Sequence, residues 1–181
     1  MAKAILEEVG ADELTLAVLA QRAGVSKPIA YDHFGSRSGL LIAMLDDTGR
    51  YYELDAEAKI AVAPATIPAI ADIVATAYVH CSVEAGPAMT VLAAAAEADT
   101  EARAAGRAMQ KDHAASFEQA FAPVLDGGAD HLPLLMKGLV AAANAICDDR
   151  TRDKITTKMA IDTLTHLLVT SLSPFARPQT S

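Results

Sequence analysis

Residues 15–41, TLAVLAQRAGVSKPIAYDHFGSRSGLL, decide how this chain folds. Thr15 is a helix-capping residue, and Leu16, Leu19 and Ala20 then fall on one apolar face of a helix over 16–22. Ala23-Gly24-Val25 makes a tight turn in which the glycine supplies a positive φ and Val25 plugs the core. Ser26 caps a third helix, with Pro28 in the first turn, where a missing N–H costs nothing. Phe34-Gly35 ends that helix, and Ser36 caps a fourth that carries Leu40, Leu41, Met44 and Leu45 on to about Ile60. Two short helices across a glycine turn form a helix-turn-helix, a device that lays one helix in the major groove of DNA.

Working outward, residues 2–9 make a short first helix that Gly10 stops. Pro64 and Pro68 mark a break, after which Ile67, Ile70, Val74, Tyr78 and Cys81 follow helical spacing. Gly86-Pro87 is expected to begin a separate helix, densest in apolar residues at Ala93–Ala96. A break near Asp99-Thr100 precedes a polar helix with Met109, His113, Phe117 and Phe121 along one stripe, and Asp126-Gly127-Gly128 is a loop. In the last two helices Leu132, Leu135, Leu139, Ala142 and Ile146, and then Ile161, Leu164, Leu168 and Leu172, repeat at near-heptad spacing. Alanines 141–143 would let a partner helix approach closely, which points to a four-helix bundle across a two-fold axis. The alternative is that these seams pack on the rest of the same chain. The expected division is 1–48 for the head, 49–175 for a larger helical domain and 176–181 for a loose tail.

At 181 residues and 52% apolar content, much of it alanine, the chain is an all-α protein with a sizeable core. Charged residues interrupt its apolar runs short of a membrane span, and acids interrupt MAKAILEEVG too early for a signal peptide. A cytoplasmic location is the expectation. Cys81 and Cys147 lack metal-ligand spacing and read as buried thiols. Neither His80, Cys81 and Glu84 nor Glu97 and Asp99 form a metal-binding pattern, and no nucleophile elbow, phosphate loop or framed carboxylate pair supports an enzyme. No cofactor or metal is expected. Net charge is −8, and residues 1–40 carry four bases (Lys3, Arg22, Lys27, Arg37) against five acids (Glu7, Glu8, Asp12, Glu13, Asp32). Phosphate neutralisation supplies most non-specific affinity for DNA, so only a local cluster of Lys27, His33 and Arg37, doubled in a dimer, serves it here.

Thr15, Leu19-Ala20, Ala23-Gly24-Val25-Ser26, Tyr31, His33-Phe34, Arg37 and Leu40-Leu41, in that order and spacing, resemble the N-terminal domain of TetR-family regulators. Gly10, five residues before the threonine, agrees too, and the detailed match covers about residues 4–50. The resemblance implies a three-helix helix-turn-helix head and a larger helical ligand-binding and dimerisation domain. It also implies a homodimer on a palindromic double-stranded operator, released by a small-molecule effector. Thr15 and Ser26 would cap helices and offer groups to phosphates, and Lys27 would donate to a guanine edge. Pro28 and Ile29 would touch thymine methyls, Tyr31 and His33 would anchor phosphates, and Arg37 would grip the backbone. The effector cavity would be lined by Tyr78, Cys81, Met89, Leu92, Met109, His113, Phe117, Phe121 and Asn144, mostly apolar, fitting a hydrophobic or amphipathic effector.

Four features depart from the family pattern: the short first helix, the apolar Ala17-Val18 pair, Asp32 on the reading helix, and Gly39 where an acid usually completes the fourth helix's cap. They support an alternative function, a dimeric helical sensor or sequestering protein whose degenerate head does not bind DNA.

Overall fold

Glycine, threonine and serine punctuate the first sixty residues, and each stop falls where backbone chemistry places it. The computed structural model describes residues 1–10, 13–126 and 132–177. Helix α1 (Ala2–Val9) ends at Gly10, at φ 84°. Helix α2 (Leu16–Ala23) opens on Thr15, whose hydroxyl accepts the Val18 N–H at 3.2 Å, and closes on Gly24 in the left-handed region at φ 68°. Helix α3 (Lys27–Phe34) follows, and Gly35, also at φ 68°, turns the chain into α4 (Arg37–Ile60). Ser36 caps α4 by accepting the Gly39 N–H at 2.9 Å.

Among the described residues the remaining helices are α5 (Ile67–Ala95), α6 (Thr100–Phe121), α7 (Leu132–Thr151) and α8 (Thr157–Leu172), with a 3-10 turn at Ser173–Phe175. The expected separate helix at Gly86-Pro87 does not exist: α5 runs through Pro87 without a break. Proline at that position cannot donate to the Val83 carbonyl, a loss that normally interrupts a helix. Here the apolar turns on both sides carry the helix across it, Val79 before and Ala88 and Leu92 after being buried.

The chain divides into two compact units. One comprises Met1–Arg50 and Glu84–Ala108, the other Tyr51–Val83 and Met109–Ser181. The first unit thus takes in residues 84–108, which the sequence places with the larger domain. Its buried apolar residues include Ile5, Leu14, Leu16, Leu19, Leu40, Leu41 and Leu92. Within it, the start of α6 is fastened to the start of α4: the Ser38 hydroxyl donates to Asp99 and the Ser36 hydroxyl to Glu101. Asp99 also accepts the Glu101 N–H at 2.8 Å, capping α6. The Ser38 bond first, and then that backbone N–H, hold the Asp99 carboxyl below its ordinary pKa.

The second unit is built on one core cluster drawn from α5, the end of α6, α7 and α8, with Phe121, Ile70, Met136, Leu164, Leu168 and Leu172 wholly enclosed. Thr156 caps α8 by accepting the Met159 N–H at 3.1 Å. The chain's last described residues are tied down here, with Asp126 N–H donating to Phe175 O and Arg177 N–H to Val124 O, each at 2.8 Å. Residues 178–181, the end of the expected tail, and Gly127-Gly128 of the expected loop lie outside the described residues.

Candidate nucleic-acid interface and interior polar cluster

Helix α3 packs against α2 through very little of itself. Ala30 is buried and Phe34 half-buried, while Lys27, Pro28, Ile29, Tyr31, Asp32 and His33 are exposed. Two of these exposed residues are large and apolar: Ile29 is 55% and Tyr31 51% accessible. Val25, expected as a core plug, is 41% accessible instead. Ala30, one turn into α3, is buried. His33 lies edge-on to Phe34, ring centroids 4.5 Å apart, so the half-buried phenylalanine sets the imidazole's direction.

The two expected caps differ. Thr15 spends its acceptor on Val18, whereas Ser26 has extended N-cap geometry but makes no side-chain cap bond. Arg37 is engaged within the protein: its Nε donates to the Leu14 carbonyl at 2.9 Å, fastening the start of α4 to the segment before α2. Arg22 pairs with Glu8, and Lys3 with Glu84 at 2.6 Å. Among the cations placed on this face by sequence, Lys27 stands exposed at the first residue of α3.

The residues expected to line an effector cavity are distributed over both units. Met89 and Leu92 belong to the first, Leu92 buried and Met89 exposed; Tyr78, Cys81, Met109, His113, Phe117, Phe121 and Asn144 belong to the second. In the second unit the structure brings four of them together. The Tyr78 hydroxyl donates to Asn144 Oδ1 at 2.7 Å and lies 3.3 Å from His113 Nδ1. With the phenol proton committed to Asn144, the imidazole fits as the Nδ1–H tautomer donating to the phenol oxygen. The Tyr78 ring meets His113 and Phe117 edge-on at 5.2 and 5.4 Å.

Burial raises the Tyr78 pKa, and the neighbouring Cys147 and Cys81 thiols add to the shift. Burial lowers that of His113, partly offset by Asp112 and Glu53. Cys147 is buried and its thiol pushed up by desolvation, against a smaller opposing effect from a Ser82 hydrogen bond. Tyr78, His113 and Asn144 were legible in the sequence as residues; the hydrogen bonding that joins them was not, because it depends on how three helices meet.

An open recess of about 440 Å³ lies elsewhere, around Arg150, Asp153, Lys154 and Thr156 at the turn between α7 and α8. Its cations are paired, Arg150 with Asp153 and Lys154 with Asp149, so it offers little to an anion. Among the described residues, no three His, Cys, Asp or Glu side chains gather as a metal site, and no helix is long and apolar enough to cross a membrane.

The terminal seams separate by depth. Leu139, Leu164, Leu168 and Leu172 are buried in the chain's own core, with Leu132, Leu135, Ile146 and Ile161 half-buried against it and Ala142 half-buried. The exposed face of α7 carries Leu134, Gly138, Ala141 and Ala145, and that of α8 carries Met159, Thr163, His166 and Thr170.

Residues 1–44 match the family model of bacterial regulatory proteins, tetR family. Among solved structures, a protein of Rhodococcus sp. described as a TetR-family transcriptional regulator superposes with a TM-score of 0.66 at 21% identity, over 94% of each chain. One from Mesorhizobium loti, described the same way, reaches 0.70 at 15% identity, over 97% of this chain and 93% of its own. A TetR-like transcriptional regulator from Rhodococcus sp. RHA1 gives 0.59 at 19% identity, over 92% and 88%. No curated protein sequence matches the chain.

Proposed function

We propose that this chain, whose head is that of the TetR family of transcriptional regulators and whose fold follows theirs throughout, is a ligand-responsive regulator of transcription. It acts as a repressor, binding a palindromic operator as a homodimer and leaving it when a small apolar or amphipathic effector binds the second unit. The observation that carries this reading is α3: an eight-residue helix fixed on α2 by Ala30, with Lys27, Ile29, Tyr31 and His33 turned outward. A helix has no structural reason to expose isoleucine and tyrosine together beside a lysine, whereas a major-groove reader needs apolar contacts for thymine methyls and a donor for guanine.

Lys27 is the base-edge donor in this reading, Pro28 and Ile29 make the methyl contacts, and Tyr31, His33 and the uncommitted Ser26 hydroxyl face phosphates. Thr15 contributes mainly as a cap, and Arg37 mainly by positioning α4. The recognition is local, since the chain as a whole is acidic.

Anisotropy titration against DNA flanking the protein's own gene, at low salt and with non-specific competitor, tests the proposal. Specific binding is expected, with Lys27→Ala weakening it about ten-fold or more, and His80→Ala, on the exposed surface of the second unit, leaving it unchanged. A second reading, a sensor whose head has lost DNA, draws on exposed Asp32 in α3 and on Arg37 being held by Leu14. Absence of affinity for any flanking DNA at low salt would reject the regulator in favour of that sensor.

A further inference from the structure

Three polar side chains from three helices meet at the margin of an otherwise apolar core: Tyr78 from α5, His113 from α6 and Asn144 from α7. Burying polar groups costs free energy even when they are bonded to one another, and apolar residues of similar volume would pack α5, α6 and α7 at least as well. The bonding is also incomplete. Tyr78 takes up Asn144 Oδ1 and His113 Nδ1, leaving the Asn144 amide nitrogen and His113 Nε2 without assigned partners. His113 and Asn144 are half-buried, and the one buried side-chain polar atom lacking a partner among the described residues is Thr165 Oγ1, not one of theirs. The spare donor and acceptor therefore retain access from outside the core.

We propose that Tyr78, His113 and Asn144 form the polar anchor of the effector site, and that they select a neutral amphipath with a hydroxyl or carbonyl head on an apolar body. This rests on the reading above that the second unit takes the effector. The apolar body enters by displacing buried Phe117 on α6, whose ring meets that of Tyr78 edge-on. The head meets one donor, the Asn144 amide, and one acceptor, His113 Nε2 in the Nδ1–H tautomer.

Charge excludes the other head groups. Burial lowers the His113 pKa and so favours the neutral imidazole, which offers no cation to a carboxylate. The charged groups that act on it are the acids Asp112 and Glu53. Both acids are exposed, and Glu53 already accepts the Ser116 hydroxyl, so solvent screening leaves little attraction for an ammonium head.

Isothermal titration of the full-length protein with octan-2-ol, octan-2-one, octanoate, octylamine and 1-chlorooctane tests the proposal. The alcohol and ketone are expected to bind at least ten-fold more tightly than the carboxylate or amine. Tyr78→Phe, which keeps the ring, and Asn144→Ala are each expected to weaken octan-2-ol about five- to ten-fold, with 1-chlorooctane binding unchanged. Tighter binding of octanoate or octylamine, equal losses for octan-2-ol and 1-chlorooctane in both variants, or no binding of any probe would overturn the anchor. Operator binding by the unliganded wild type is scored separately: its failure removes the regulator reading, whereas the probe selectivity belongs to the cluster alone.

Discussion

At the scale of single residues, Gly39 shows how a local rule and its surroundings pull in opposite directions. Helix propensity alone favours replacing a glycine in the first turn of α4 by alanine, by about 1 kcal/mol. A Cβ at this position, however, would lie 2.0 Å from the Phe34 carbonyl oxygen, a backbone atom with no freedom to swing away. Overpacking of that kind costs about 1–3 kcal/mol, so it wins. Gly39→Ala is expected to lower stability to urea, and a raised midpoint would contradict the close approach. This close approach is a tertiary constraint that residue spacing in the sequence does not reveal.

His113 gives a second residue-scale expectation. Its folded pKa lies below the ordinary value, so between the two values the unfolded chain binds more protons than the folded one. Its contribution to stability is complete above about pH 6.5 and is lost progressively as the pH falls below that. Asp112 and Glu53, which favour the imidazolium, moderate the loss. Urea midpoints for wild type and His113→Gln across pH 5–8 check this: the wild type should lose more on acidification, and parallel profiles would contradict it.

At the scale of elements, local chemistry was readable and tertiary choice was not. The stops at Gly10, Gly24 and Gly35 and the caps at Thr15 and Ser36 follow from neighbours a few residues away, and the structure has them. Which residue of the helix-turn-helix fills the core, Val25 or Ala30, depends on the angle between α2 and α3, and sequence spacing does not supply it. Pro87 is the larger case. A glycine-proline pair normally starts a helix, but buried residues on both sides hold α5 continuous through it. The division between the two units falls at Val83–Glu84, beside the carbonyl that Pro87 leaves without its helical donor. Pro87 itself is exposed, so alanine fits there and restores the missing bond. Pro87→Ala is expected to stabilise the protein by about 2 kcal/mol, the helix gain less the added freedom of the unfolded chain. An unchanged or lower urea midpoint would show that α5 needs its proline.

At the scale of the whole molecule, the terminal helices illustrate what hydrophobic periodicity can and cannot say. The near-heptad leucines correctly mark a buried face, but burial within the chain and burial against a second copy give the same pattern. Leu164, Leu168 and Leu172 are already enclosed in the chain's own core, so a dimer must use what remains outside. On α7 that is Leu134, 72% accessible, followed by Gly138, Ala141 and Ala145, whose small side chains permit close helix approach. In the proposed regulator a dimer would matter for DNA because the chain is acidic: one head would bind weakly, and a second head held at fixed spacing would multiply the affinity through effective concentration. Ala141 is exposed, so Ala141→Glu leaves the folded chain intact and, in a dimer joined through this face of α7, would set two like charges against each other. Sedimentation velocity is expected to show the variant as a monomer with an unchanged melting temperature, and its operator affinity should fall at least a hundred-fold at moderate salt. If the variant remains a dimer with full affinity, the two copies meet on some other face.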